Sequence, residues 1–199
     1  MKNVKLFLLI ALTFVGLSSF AGAKIKLTSG SLAGLKGKTI LVKFDYDGMA
    51  VGKFANESDY IAKKKGEYNA KEAGRGDQWE KSWKSDRAAR FEPKFMELLS
   101  KYAEKSGIKF VTSGSGDYTM NVKTTRTEPG YNVYVSRAPA LINTVSTITN
   151  ASGEVAKITV TNATGSTFGG YDFDTGVRIT EAYALTGKVM GGLFSKMCK

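Results

Sequence analysis

A chain of 199 residues with 29 Lys and Arg against 18 Asp and Glu carries a formal charge of +11, and it contains no histidine and a single cysteine, Cys198. The missing histidine removes Ser-His and Cys-His nucleophile pairs, HExxH zinc sites and the usual base near neutral pH, so any enzyme here would rest on Asp, Glu, Lys or Tyr. One cysteine forms no intramolecular disulfide and supports no zinc cluster, so the chain must fold on a hydrophobic core, and a bound metal would be a hard cation on oxygen ligands.

Residues 1–23 have the layout of an export signal. Lys2 and Lys5 precede the apolar run LFLLIALTFVGL, and Ala21, Gly22 and Ala23 follow in a small-x-small order, which places cleavage after Ala23. The apolar run is shorter than the roughly 20 residues that span a bilayer, so a membrane anchor is the weaker reading. Lys24 stands where a lipoprotein would carry its acylated cysteine, so no lipid anchor is expected and Cys198 is left as a free or intermolecular thiol. Cleavage leaves 176 residues, enough for one domain, residues 24–199, with 27 basic against 18 acidic side chains, a formal +9. The expected location is periplasmic or secreted, and the charge favours anionic partners: lipid head groups, acidic glycans or nucleic acid.

The first strand is TILVKFDY, Thr39 to Tyr46, with Ile40, Val42, Phe44 and Tyr46 on one face and Lys43 and Asp45 on the other. A short helix is expected from Glu57 to Lys71, capped by Asn56 or Ser58. Its KKK tract, Lys63 to Lys65, is too short for a nucleic-acid patch, and no nucleic-acid partner is expected. The GRGD at Gly74 to Asp77 contains an integrin-type triplet, but a turn whose Asp77 caps the next helix explains the same letters.

From about Asp77 to Lys105 the residues Trp79, Trp83, Phe91, Phe95, Leu98, Leu99 and Tyr102 recur at helical spacing. Acid-first pairs four apart, Glu80 with Lys84, Asp86 with Arg90 and Glu97 with Lys101, line the solvated side. Pro93 either kinks one helix or opens a second near Phe91, and Gly107 stops it. Trp79 and Trp83 could form a sugar-stacking platform, but at this spacing burial is the stronger reading.

Four more strands follow: Ile108 to Ser113, Asp117 to Thr125, Leu141 to Thr149 and Gly153 to Asn162, the last two joined as a hairpin at Asn150 to Gly153. Strands that alternate apolar and polar belong to a sheet covered on one face. The expected fold is therefore α+β in two layers, a mixed, mostly antiparallel sheet with helices packed on one face. The first two strands have room between them for a crossover if they lie parallel.

The chain closes on VRITEAYALTGKVMGGLFSKM, where Ile179, Ala182, Leu185, Val189, Leu193 and Met197 predict a helix facing the sheet. Gly187, Gly191 and Ser195, four apart, should let its backbone approach the sheet closely. Before it stands DTG, Asp174 to Gly176, the triplet of aspartic proteases. Those enzymes hold the aspartate in a loop between strands and need two copies to share a proton, whereas Asp174 sits where a helix start wants an acid. No cofactor motif is legible: the GSG at Gly114 to Gly116 has no helix after it to hold a phosphate. DYDG, Asp45 to Gly48, and YDFDTG, Tyr171 to Gly176, could supply oxygens to calcium, but neither continues into EF-hand spacing.

A basic signal, ILVKFDY, a helix ending LLSKYAEKSG, the strand SGDYTMNV, the GEVAKITV hairpin and a closing helix together resemble small exported bacterial envelope proteins of unknown function. More loosely they are similar to the periplasmic α/β domains of the TolB amino-terminal and CsgG type. The resemblance implies a non-catalytic binding or assembly role in the envelope, and it transfers no functional residue. The absence of a cysteine at position 24 departs from the CsgG class.

Two surfaces are candidates for contact with an envelope protein or an anionic polymer or lipid surface. One is the uncovered sheet face with Lys43, Asp45, Asn121, Lys123 and Thr125. The other is the segment PGYNVYVSRAP, where Tyr131, Tyr134 and Arg137 combine aromatic and cationic groups. The alternatives are an aspartate-dependent hydrolase on the DTG triplet and a purely electrostatic binder of anionic glycan or lipid.

Overall fold

The computed structural model describes residues 18–20, 22–133, 135–165 and 174–198. Most of the expected leader and Tyr134 lie outside them.

Ten strands and four α-helices are described. The strands are β1 (Ser18–Phe20), β2 (Ala23–Gly30), β3 (Thr39–Asp45), β4 (Ala50–Val51), β5 (Lys109–Val111), β6 (Tyr118–Glu128), β7 (Tyr131–Asn132), β8 (Arg137–Ala138), β9 (Leu141–Asn150) and β10 (Gly153–Thr164). The helices are α1 (Glu57–Asn69), α2 (Arg75–Asp86), α3 (Glu92–Ala103) and α4 (Thr175–Met197). Eight strands form one mixed sheet in the order β1-β2-β10-β9-β6-β3-β5, with β4 beside β6, and β7 and β8 form a separate two-stranded ribbon. β3 is parallel to both β5 and β6, so the helical segment between β3 and β5 is a crossover, while β6, β9, β10 and β2 run antiparallel in turn. The fold is α+β, as the alternation of the strands requires.

Period-two burial runs across the sheet. Ile25 and Leu27, Ile40 and Val42, Met120 and Val122, Ile142 and Ile148, and Ile158 and Val160 are buried on one face. α4 packs on β10, β9 and β2, and α3 reaches β5, so both helices lie on that face. β2 is absent from the sequence reading because AKIKLTSG begins at the expected cleavage point, although its own alternation is clear. Bulges shift the register between Thr124 and Arg126 in β6 and twice in β10, so Thr124 and Thr127 both turn inward. Thr124 is satisfied there by the Tyr183 hydroxyl at 2.6 Å, and burial pushes that phenol up to about 12.

Pro93 does not break the long helical segment. α2 passes into a π-turn at Arg87–Phe91, where the Glu92 N–H reaches the Arg87 carbonyl, and Pro93 falls in the first turn of α3. Trp83 is buried and Trp79 stacks on it at 5.6 Å, beside Tyr60. The tryptophans are thus packing between α1 and α2, not a sugar platform. Tyr102, expected in the core, is exposed and lies under the Lys188 ammonium.

α4 differs from its expected apolar stripe. Leu185, Leu193 and Met197 are only partly buried, whereas Tyr183, Thr186, Gly187, Met190, Gly191 and Phe194 are fully enclosed, because two of the helix's sides are covered. The small-residue row faces α3, not the sheet. A Cβ on Gly187 would stand 2.3 Å from the Phe95 carbonyl oxygen, one on Gly191 2.5 Å from that of Leu99, and the Ser195 hydroxyl donates to the Tyr102 carbonyl at 2.7 Å. Cys198, just past α4, is buried, with its thiol donating to the Leu32 carbonyl at 3.0 Å and its pKa raised by burial. The thiol is free, but it is packed against the β2–β3 connection and not exposed.

Candidate functional site

Asp174 is the N-cap of α4. Its Oδ1 accepts from the Gly176 N–H at 2.8 Å, and its Oδ2 pairs with Arg90 at 2.6 Å. Arg90 also binds Asp86 through Nε at 3.1 Å, so one guanidinium clamps the helix start to the π-turn. Partial burial alone would raise the Asp174 pKa, but Arg90 and the Gly176 N–H outweigh it and hold the carboxyl below its usual range. Burial pushes Asp86 the other way, against the pull of Arg90 and with Asp174 adding to the rise. Two carboxylates with opposed shifts are the pattern of an acid–base pair, but here a cation sits between them in place of a shared proton. The remaining letters of DTG are also structural: the Thr175 hydroxyl accepts from Arg178 at 3.0 Å, and a Cβ on Gly176 would meet Asp86 Oδ2 at 2.3 Å.

Asp45 and Asp174, one carboxylate of each metal candidate, are likewise taken up by protein contacts. Asp45 Oδ1 accepts from the Asp47 N–H at 2.8 Å and Oδ2 from Lys123 at 3.2 Å, and these contacts, the backbone one first, hold its pKa down against partial burial. Among the described residues, no three His, Cys, Asp or Glu side chains gather as metal ligands. Tyr171 to Phe173 lie outside the described residues. The other motifs are absorbed by the helices: Lys63 and Lys64 pair with Glu67, and Lys65 with Asp77 and Glu80. Gly74, not Asp77, caps α2, which puts Asp77 of the RGD triplet in the first helical turn.

A second polar cluster lies between the helices and the sheet. Glu57 accepts from the Trp83 indole at 2.6 Å and pairs with Arg87, whose guanidinium lies 4.1 Å from the Tyr46 ring centroid, and Tyr46 donates to Glu92 at 3.2 Å. The void they enclose is about 10 Å³, room for one water and no ligand. An open groove of about 860 Å³ runs along α3 and α4 past Lys94, Glu97, Lys101, Glu181 and Lys188, with both signs of charge interleaved.

The outer face of the sheet is different. All five residues expected there are brought together on adjacent strands: Lys43 pairs in register with Asn121, and Asp45 with Lys123, while the Thr125 hydroxyl donates to the Asn143 carbonyl at 3.3 Å. Register extends this patch to residues the sequence reading did not assign. One row crosses four strands as Lys43, Asn121, Thr147 and Lys157. The next runs Asp45, Lys123, Val145, Thr159 and Lys26. With Lys24 the face carries five lysines, and the carboxylates within their reach are Asp45, held by Lys123, and Glu154, held by Lys157 at 3.1 Å. Alternation within β3, β6 and β10 marks Lys43, Asp45, Asn121, Lys123, Lys157 and Thr159 as outward, but only strand order, which is not sequence order, sets them side by side.

Tyr131 and Arg137 stand apart from this face, on the β7–β8 ribbon, where Arg137 is in register with Asn132 and the Tyr131 hydroxyl meets Ser136 at 3.2 Å. Arg178, buried in α4, fixes the base of the ribbon by donating to the Pro129 carbonyl at 3.2 Å.

No family model and no curated protein matches the chain. Among solved structures it is similar to two of the PelC dodecamer from Paraburkholderia phytofirmans, in different space groups and one of them a point variant. Each aligns at 14% identity with a TM-score of 0.35 over 82% of this chain, covering 95% of the PelC chain in one and 96% in the other.

Proposed function

We propose that the chain is an exported, non-catalytic binding module of the cell envelope whose contact surface is the open face of the sheet, and whose partner is an anionic polysaccharide. The observation that carries this reading is the transverse row Lys43, Asn121, Thr147 and Lys157, in which two lysines flank an amide and a hydroxyl side chain across four adjacent strands. Neighbouring strands lie about 4.8 Å apart, so the row from Lys43 to Lys157 extends roughly 14 Å. An acidic glycan presents what such a row can bind: carboxylates for the lysines, and hydroxyls for Asn121 and Thr147. The lysines give attraction that salt screens, and the fixed amide and hydroxyl groups give orientation.

The hydrolase alternative has less support, because both oxygens of Asp174 are committed to holding the α4 start. The test is the affinity of the full chain for alginate, a polyuronate. Replacing Lys26, Lys43 and Lys157 together by Gln should weaken binding tenfold or more at low salt, with the difference shrinking as salt rises. Unchanged affinity in that variant, or peptide cleavage that disappears in Asp174→Asn, contradicts the reading.

A further inference from the structure

The surplus of positive charge is unevenly placed. Nine of the 18 acidic residues fall between Glu57 and Glu97, where α1, α2 and α3 pair most of them with nearby Lys and Arg. At one end of the molecule the balance fails. The segment before β3 and the segment before β5 touch there: the Gly37 N–H donates to the Ser106 carbonyl at 3.1 Å and the Lys109 N–H to the Lys38 carbonyl at 2.9 Å. Those contacts bring Lys36, Lys38, Lys105 and Lys109 to one pole, all exposed and, among the described residues, without an ion pair. Lys196, on the last turn of α4, joins them, since that helix end packs on residues 104–106 and its Cys198 thiol reaches Leu32. Of the acidic side chains nearby among the described residues, Asp117 is spent on the Thr39 N–H at 2.8 Å, which leaves Glu104.

Ordinary structural roles account for part of this. α3 and α4 both end at this pole, and a lysine near each C-terminus offsets the helix dipole. Lys109 also guards the β5 edge against strand pairing. Neither role calls for Lys36 and Lys38. The ground between the lysines is low, made of Ala33, Gly34, Gly37 and Gly107, while Ser106 is buried. No row of amides or hydroxyls like that of the sheet face stands there to orient a sugar. Long ammonium stems rising from small residues around a blunt end suit a flat anionic plane.

We propose that this lysine pole docks the protein onto a bilayer surface carrying anionic phospholipid, peripherally and without insertion. The inference is independent of the sheet-face reading and uses different residues. Each lysine near such a surface adds roughly a fivefold gain in partition, so four account for several hundredfold at low salt.

The test is co-sedimentation of the full chain with phosphatidylcholine vesicles, with and without phosphatidylglycerol. It compares the wild type with two variants of equal net charge: Lys36, Lys38, Lys105 and Lys109 to Gln, and Lys24, Lys26, Lys43 and Lys157 to Gln. The expected result is binding only to the anionic vesicles, lost at least tenfold more in the pole variant than in the face variant. Equal loss in both variants, loss in neither, or no binding by the wild type overturns the proposal. Thermal melts of both variants check that the fold is intact; the pole variant should melt as the wild type does, since among the described residues none of its four side chains makes an ion pair, whereas the face variant loses the Lys157–Glu154 pair. Alginate affinity kept by the pole variant and lost by the face variant separates this outcome from failure of the sheet-face reading.

Discussion

At the residue scale, Asp174 shows how a familiar triplet is consumed by folding. Its carboxylate caps α4 and binds Arg90, and the glycine two residues on leaves space for Asp86. Replacing Asp174 by Ala should cost about 1 kcal/mol, chiefly for the lost cap, with little added by an ion pair this exposed. The pH dependence has a definite sign. The folded pKa lies below the unfolded value, so the stabilisation is complete above the unfolded pKa and lost as pH falls through the folded one. Urea melts of the wild type and Asp174→Ala should therefore differ at neutral pH and converge in acid. A difference that persists or grows on acidification would contradict this assignment. The cap role was legible from sequence because it needs only an acid just before a periodic run, whereas the Arg90 clamp joins positions 84 apart and was not.

At the scale of elements, α3 and α4 lie in close contact because one row of small residues removes the side chains that would hold them apart. Gly187 and Gly191 admit the carbonyls of Phe95 and Leu99, while Gly192 meets nothing within 4 Å. The two kinds of glycine should respond oppositely to alanine. Gly187→Ala overpacks a fixed backbone contact and should destabilise by about 1–3 kcal/mol, whereas Gly192→Ala should stabilise by up to about 1 kcal/mol through helix propensity. Thermal melts of the two variants check this; a stabilised Gly187→Ala would mean that the helices can separate freely. The spacing of the small residues was readable in sequence, but the element they face was not. A small-residue row marks close approach without naming the partner, and here it is a parallel helix rather than the sheet. The same limit explains α4 itself: a periodic stripe assumes one covered side, and this helix has two.

At the scale of the whole molecule, the sheet is clothed by helices on one face and not on the other, and the half-polar strands made that division readable from the sequence. Lys43, Asp45, Asn121, Lys123 and Thr125 were assignable because each alternates with a core residue within its own strand. Lys26, Thr147, Thr159 and Lys157 alternate just as clearly, but their place beside the first five depends on the order β2-β10-β9-β6-β3, which no local pattern encodes. The charge total was likewise legible and its concentration at one pole was not, since that depends on two loops meeting through backbone hydrogen bonds. NMR shift mapping during an alginate titration of the full chain tests the account most directly. The account predicts that the largest amide shifts fall on Asn121, Thr147, Thr159 and Lys157 in β6, β9 and β10. Shifts confined to the α3–α4 groove around Lys94 and Lys188, to the lysine pole or to Asp174 would contradict it.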